Sequence, residues 1–137
     1  MSFFKKMLNK GKNIDPMDDK LKEKIERLVV SMLDDYGNNY NVEYKSVREE
    51  WTESGKEFTE SQLDEEAHNR AGIESFKDTV ANKVNDEVED DVEANIKKQT
   101  DNSLVVTASK KAAEKSIDIL VSKLIDEGIK KLKHSNN

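Results

Sequence analysis

The sequence predicts an all-α protein, an elongated antiparallel helical bundle or hairpin of about four helices. Two observations favour this fold class. Apolar residues recur at helical spacing through most of the chain, and Asp, Glu, Lys and Arg make up 38% of its 137 residues. Leu, Ile, Val and Phe together supply only 32 residues, so we expect exposed helices around a thin core.

The composition limits the kinds of site that the chain can form and the compartment in which we expect it. The chain has no Cys, which excludes disulfides, zinc–thiolate sites and thiol nucleophiles. No apolar run approaches the roughly 18 residues of a membrane span, and we expect a cytoplasmic protein. Lys outnumbers Arg by 20 to 3, which is typical of an AT-rich coding sequence, as in a low-GC bacterium or its phage.

Residues 1–12 form a basic amphipathic segment, in which the apolar side chains share one sector of a helical wheel. The pattern predicts a peripheral anchor on a membrane surface or a docking peptide. The alternative is a terminus whose Phe pair covers the domain's own core. A single helical domain is expected at 15–133, followed by a polar tail at 134–137. The candidate membrane or docking residues are Phe3, Phe4, Lys5, Lys6, Met7 and Leu8.

The first helix of the domain has clear predicted ends. Asp15 suits the N-cap and Pro16 the first helical position, while Gly37 and Asn38 predict the stop near Tyr36. Its apolar face is a full core-facing stripe, made of Met17, Leu21, Ile25, Leu28, Val29, Met32, Leu33 and Tyr36.

The next segment, 39–56, fits two patterns. Alternation of Tyr40, Val42 and Tyr44 is typical of a strand, whereas Tyr40, Tyr44, Val47 and Trp51 have helical spacing. We favour a helix over Val42–Glu53, because the helical pattern extends further. The alternative is an α+β fold with a short pairing of 40–46 and 104–107.

A short helix from Glu60 to about Arg70 is predicted by the capping-box spacing of Thr59 and Gln62, with Gly72 as a kink or a separator. Glu65 and His68 form one Glu-x-x-His motif. Di-iron carboxylate bundles need that motif twice with two further Glu, and the second copy is absent here. We therefore predict no metal site and a surface position for His68.

The stretch Ile73–Lys98 has the clearest helical pattern. Every fourth residue is apolar, namely Phe76, Val80, Val84, Val88, Val92 and Ile96. A four-residue repeat drifts about 40° per step around a helix. Hence either two neighbouring elements cover the line in succession, or its second half faces a partner.

The last helix is predicted to begin after a cap at Asp101, Asn102 or Ser103 and to run to Lys133. Ile119 falls opposite the apolar face, and Gly128 falls on it, where close packing could use a glycine. The face consists of Val106, Ala113, Ile117, Leu120, Val121, Leu124, Ile125 and Leu132.

Sequence signals for catalysis or a cofactor are lacking. The chain contains no Gly-x-Gly-x-x-Gly, no Gly-x-x-x-x-Gly-Lys-Ser/Thr and no Gly-x-Ser-x-Gly. We expect no enzyme, no catalytic residue, no cofactor and no metal. Residues 43–93 carry 17 acids against 6 bases, and with only three Arg this disfavours direct nucleic-acid binding.

The leading hypothesis for function is a non-enzymatic protein–protein interaction module of adaptor, immunity or inhibitor type. It would present the acidic helix to another protein with a basic surface, or to a second copy of the chain. A plain solvated face is the alternative for these acids, and weak membrane-surface contact through residues 1–12 is the alternative function. The predicted partner-binding residues are Asp86, Glu87, Val88, Glu89, Asp90, Asp91, Val92, Glu93 and Ile96.

Overall fold

The structure, a computed structural model, describes residues 14–135. This part of the chain contains four helices and no strand: α1 (Asp19–Glu53), α2 (Glu60–Ala71), α3 (Ile73–Lys97) and α4 (Ser103–Ser135). The all-α prediction is confirmed. The alternative pairing of 40–46 with 104–107 is wrong, because both segments are helical.

The long helix α1 replaces two predicted helices. The predicted stop at Gly37 and Asn38 is wrong, since the helix runs through both for 35 residues, about 52 Å at 1.5 Å per residue. Gly37 is buried against Leu132 of α4, and a Cβ there would lie 2.9 Å from Leu132 Cδ2. The glycine therefore allows close approach of α4. The low helix propensity of Gly37 is outweighed by the packing of Tyr40 and of the residues beyond it.

The start of α1 also differs from the prediction. Asp18 is the N-cap and accepts a hydrogen bond from the Leu21 amide at 2.9 Å. Asp15 instead accepts from the Met17 amide. Its backbone is tied to Gln99 at the end of α3 by two hydrogen bonds of 3.1 and 2.8 Å. The chain thus enters α1 against the C-terminal end of α3.

Two helices lie antiparallel to α1, one after the other. α2 packs on its second half, where Tyr44 of α1 meets Glu60 and Tyr36 meets His68. We call the unit formed by α2 and the second half of α1 the hairpin. α3 packs on the first half, and α2 and α3 are separated at Gly72, whose φ of 79° lies in the left-handed region that a glycine adopts readily. The capping box of Thr59 at the start of α2 is confirmed.

α4 completes a three-helix bundle with α3 and the first half of α1, and we call this unit the bundle. α4 begins after Asn102, whose side chain accepts from the amides of the next helical turn. It runs parallel to α1, because Leu33 packs at Gly128 and Gly37 packs four residues further on at Leu132. A Cβ at Gly128 would lie only 2.4 Å from Leu33 Cδ1, which confirms the predicted close packing. Ile119 is 71% exposed, as predicted.

The apolar line of α3 is covered along its whole length. Val80, Val84, Val88 and Ile96 have no exposed surface and Val92 has 4%. The expectation that its second half faces away from the core is therefore wrong. Its drift is accommodated because α3 lies between two helices, with Asp91 reaching Lys24 of α1 on one side.

Each unit has its own apolar core, and Phe76 packs against both. The bundle core is centred on Ile25, Val84, Val88, Ile117 and Ile125. The hairpin core contains Tyr36, Tyr40, Tyr44, Val47, Leu63 and Ala67. α1 is thus the one helix among residues 14–135 that contributes buried side chains to both cores.

Candidate functional site

The predicted acidic site lies on the outer surface of α3. Its members, which we call the acidic face, are Asp86, Glu87, Glu89, Asp90 and Asp91, all of them exposed. Adjacent acids on a helix point in different directions, and the apolar residues between them are turned into the core. The helix therefore displays its carboxylates across a broad strip of the bundle surface.

Carboxylates on two sides of the strip are paired with lysines of α1, of α4 and of α3 itself. Asp91 forms an ion pair of 2.8 Å with Lys24 of α1. On the other side, Glu93 is within 3.1 Å of Lys97 and 3.8 Å of Lys110 of α4. The hydrogen bond from Lys97, with the charges of both lysines, lowers the pKa of Glu93 below its usual range. These carboxylates hold α3 between its neighbours.

The middle of the strip is different. Asp86, Glu89 and Asp90 are exposed and form no ion pair within residues 14–135. Asp90 lies four residues and Glu89 three residues from Asp86, so each of them is a neighbour of Asp86 on the helical surface. Like charges at this spacing destabilise a helix by a few tenths of a kcal/mol per pair. These three acids are therefore available to an external basic group, and their mutual repulsion would be relieved by one.

The apolar members of the predicted site are placed elsewhere. Val88, Val92 and Ile96 belong to the bundle core, directly beneath the acids. They are not available to a partner in this conformation, because α1 and α4 already cover them. The predicted exposure of these three residues to a partner is therefore wrong. Binding of a partner by the acids stays a prediction.

A second polar cluster, which the sequence analysis missed, joins the two helices of the hairpin. Tyrosines spaced by four residues on α1 face polar residues spaced by four on α2, so that three hydrogen-bonded pairs lie in a row. The pairs are Tyr44 with Glu60 at 2.7 Å, Tyr40 with Asp64, and Tyr36 with His68 at 2.6 Å. We call this row the tyrosine ladder.

The surface position predicted for His68 is wrong. The residue is only 8% exposed, and its ring stacks on Tyr40 with centroids 4.3 Å apart. His68 Nε2 also lies 3.5 Å from Asp64 Oδ1. The Glu-x-x-His motif pointed to Glu65, but the contact is with the acid four residues earlier. The equal spacing of Tyr36, Tyr40 and Tyr44 was the signal that could have found the ladder.

The electrostatics of the ladder suit a structural contact. Burial first, and then the charge of Asp64, raise the pKa of Tyr36. Burial, followed by the hydrogen bond to Asp64, raises the pKa of Tyr40. A phenol whose pKa is raised is a poor general base or nucleophile at neutral pH. The ladder therefore joins α2 to α1 through three side-chain hydrogen bonds.

The described part of the chain offers neither a metal site nor a membrane-spanning helix. Residues 14–135 hold no group of three or more His, Asp or Glu that could bind a metal ion. None of their helices is long and apolar enough to cross a membrane. The predicted docking residues, Phe3 to Leu8, lie outside the described residues.

Comparison of the chain with protein-family models, with curated proteins and with solved structures found no match.

Proposed function

We propose that this chain is a non-enzymatic interaction module that binds a basic surface of another protein through the acidic face of α3. The observation that carries the proposal is the contrast within that face. Asp91 of this face and the neighbouring Glu93 are paired with lysines of the same chain. Asp86, Glu89 and Asp90 are exposed without such a pair in the described region.

The rigidity of the support favours recognition by this face. α3 is anchored by an unbroken line of buried residues, from Val80 to Ile96, between two longer helices. The backbone positions of these acids are therefore fixed relative to one another, and less conformational entropy is lost on binding than in a disordered acidic tail. Complementary charges of this kind speed association and select partners, and salt weakens them.

The test is affinity capture from a lysate of the organism that encodes the chain, at low ionic strength. The variant Asp86→Lys/Asp90→Lys reverses two acids one helical turn apart. Glu49→Lys/Glu53→Lys is the matched control, because both residues are exposed on α1 with the same spacing and give the same change in net charge. We expect the partner to be lost with the first variant and retained with the second. Equal capture by both variants would overturn the assignment of this face.

The alternative function, docking to a membrane surface through residues 1–12, stays a prediction from the sequence. Deleting these residues should abolish sedimentation with anionic liposomes. If the full-length chain does not sediment either, the alternative is wrong.

A further inference from the structure

A groove runs along the bundle between α1 and α4. The groove has two stretches, which meet at Glu26. The first stretch lies beside Asp15, near the start of the described chain, and the second lies further along both helices. Apolar side chains in its lining are Met17, Val30, Leu33, Leu120 and Leu124. Val30 is 53% exposed, so the bundle leaves a strip of apolar surface uncovered here.

The groove is strongly acidic. Its lining contains six acids, Asp15, Asp19, Glu23, Glu26, Asp34 and Glu127, against the two lysines Lys22 and Lys131. None of the six acids forms an ion pair within the described residues. An apolar strip bordered by unpaired acids suits a basic amphipathic segment, which can cover the strip and neutralise the acids at the same time.

The chain itself carries such a segment next to the groove. Residues 1–12 contain four Lys and no acid, with Phe3, Phe4, Met7 and Leu8 in one helical sector. They join the described chain at Ile14. The backbone of Asp15 and Pro16, which follows, is fixed by hydrogen bonds from Gln99 and Asn95 of α3. The segment therefore starts beside the first stretch of the groove.

The length of the segment also fits. As a helix, residues 3–10 would span about 12 Å at 1.5 Å per residue, and the groove from Asp19 to Val30 spans about 17 Å by the same measure. A segment docked along α1 needs a reversal of the chain before Ile14, and Gly11 in the sequence offers the conformational freedom for it. A tether this short gives a millimolar effective concentration, so even weak contacts would suffice for docking.

We propose that the basic amphipathic segment 1–12 docks into the acidic groove between α1 and α4 of its own chain. The four apolar residues of the segment cover the strip around Val30, Leu120 and Leu124. The lysines meet the acids on its borders. The segment then acts as a fourth helix of the bundle, and any other ligand of the groove or of the segment must displace it.

Engineered cysteine pairs test the proposal in the full chain, because the natural sequence contains no Cys. Leu8→Cys is combined with Ser116→Cys, which lines the groove, or with Ser122→Cys, which does not. Both serines are exposed on α4 and lie about 120° apart around its axis. The effective concentration of each pair is measured from disulfide formation in a glutathione redox buffer.

Docking predicts that the Ser116 pair has an effective concentration at least about tenfold above that of the Ser122 pair. The ratio of the two effective concentrations should be independent of protein concentration. Replacing two groove acids in Glu23→Lys/Glu26→Lys should reduce that ratio. Equal values for the two pairs would overturn the proposal. So would disulfides that form only between molecules, because the groove would then bind a second copy.

Discussion

Phe76 of α3 stacks against Tyr36 of α1, with ring centroids 4.5 Å apart and planes inclined by 23°. Tyr36 belongs to the hairpin core, and Phe76 packs against both that core and the core of the bundle. Ile129 and Leu132 of α4 also pack against the hairpin core, and Ile129 contacts both cores. The stacked pair therefore couples the folding of the hairpin to that of the bundle.

Replacing Phe76 by Ala should uncouple the two units. A large-to-small change at a packed aromatic position costs roughly 3 kcal/mol in the free energy of unfolding. Urea unfolding can be followed by far-UV circular dichroism for the whole chain. Fluorescence of Trp51, the sole Trp, reports on the hairpin. We expect coincident transitions in the wild type and an earlier fluorescence transition in the Phe76→Ala variant.

The control for this experiment is Val42→Ala, at an exposed position of α1. It should change stability by no more than about 0.5 kcal/mol and leave the two transitions coincident. If the Phe76→Ala variant also unfolds in one coincident transition, the contact does not couple the two units.

The tyrosine ladder predicts a loss of stability at alkaline pH. An unfolded Tyr releases its proton near pH 10, whereas the pKa values of Tyr36 and Tyr40 are raised in the folded chain. Above pH 10 the unfolded state therefore binds fewer protons, and the free energy of unfolding falls as the pH rises. By pH 11 each buried tyrosine should account for a loss of about 1.4 kcal/mol.

Tyr40→Phe separates this effect from the titration of lysines, which both proteins share. The variant is less stable at neutral pH because the hydrogen bond to Asp64 is lost. Its further loss between about pH 9 and pH 11 should be smaller than that of the wild type by about 1.4 kcal/mol. Equal slopes in urea unfolding would show that Tyr40 ionises as readily in the folded chain as in the unfolded one.

The contact of Gly128 with Leu33 predicts that the effect of Gly128→Ala on the free energy of unfolding changes sign when Leu33 is also replaced. A Cβ at position 128 would lie 2.4 Å from Leu33 Cδ1, and such overpacking costs about 1–3 kcal/mol. Gly128→Ala should therefore destabilise the wild type despite the better helix propensity of Ala. In a Leu33→Ala background the clash is absent, and the same change should stabilise by about 1 kcal/mol. An additive cycle in thermal or urea unfolding would contradict the contact.

Much of the fold could be predicted because it depends on local signals. The capping box of Thr59 with Gln62, the separation at Gly72 and the four-residue repeat of α3 act within one or two helical turns. Gly37 was misleading for the opposite reason. Its role is set by Leu132, about a hundred residues away, and a glycine that ends a helix is identical in sequence to one that admits a neighbour.

The exposure of the acids in the candidate site could be predicted from the sequence, whereas the burial of its apolar residues could not. The acids of α3 had to be exposed, because isolated carboxylates are rarely buried. Whether Val88, Val92 and Ile96 faced the core depended on how α1 and α4 flank α3, which the repeat alone does not fix. His68 shows the same limit, since its burial depends on Tyr36 and Tyr40 of another helix.

The central claim, that the middle of the acidic face binds a basic partner, is tested most directly by the dissociation constant of the captured partner as a function of ionic strength. Asp86→Asn/Asp90→Asn removes two exposed charges with little change of shape. We predict binding weakened about tenfold at low salt, with a difference that shrinks as salt is added. Equal dissociation constants for wild type and variant at low salt would contradict the claim.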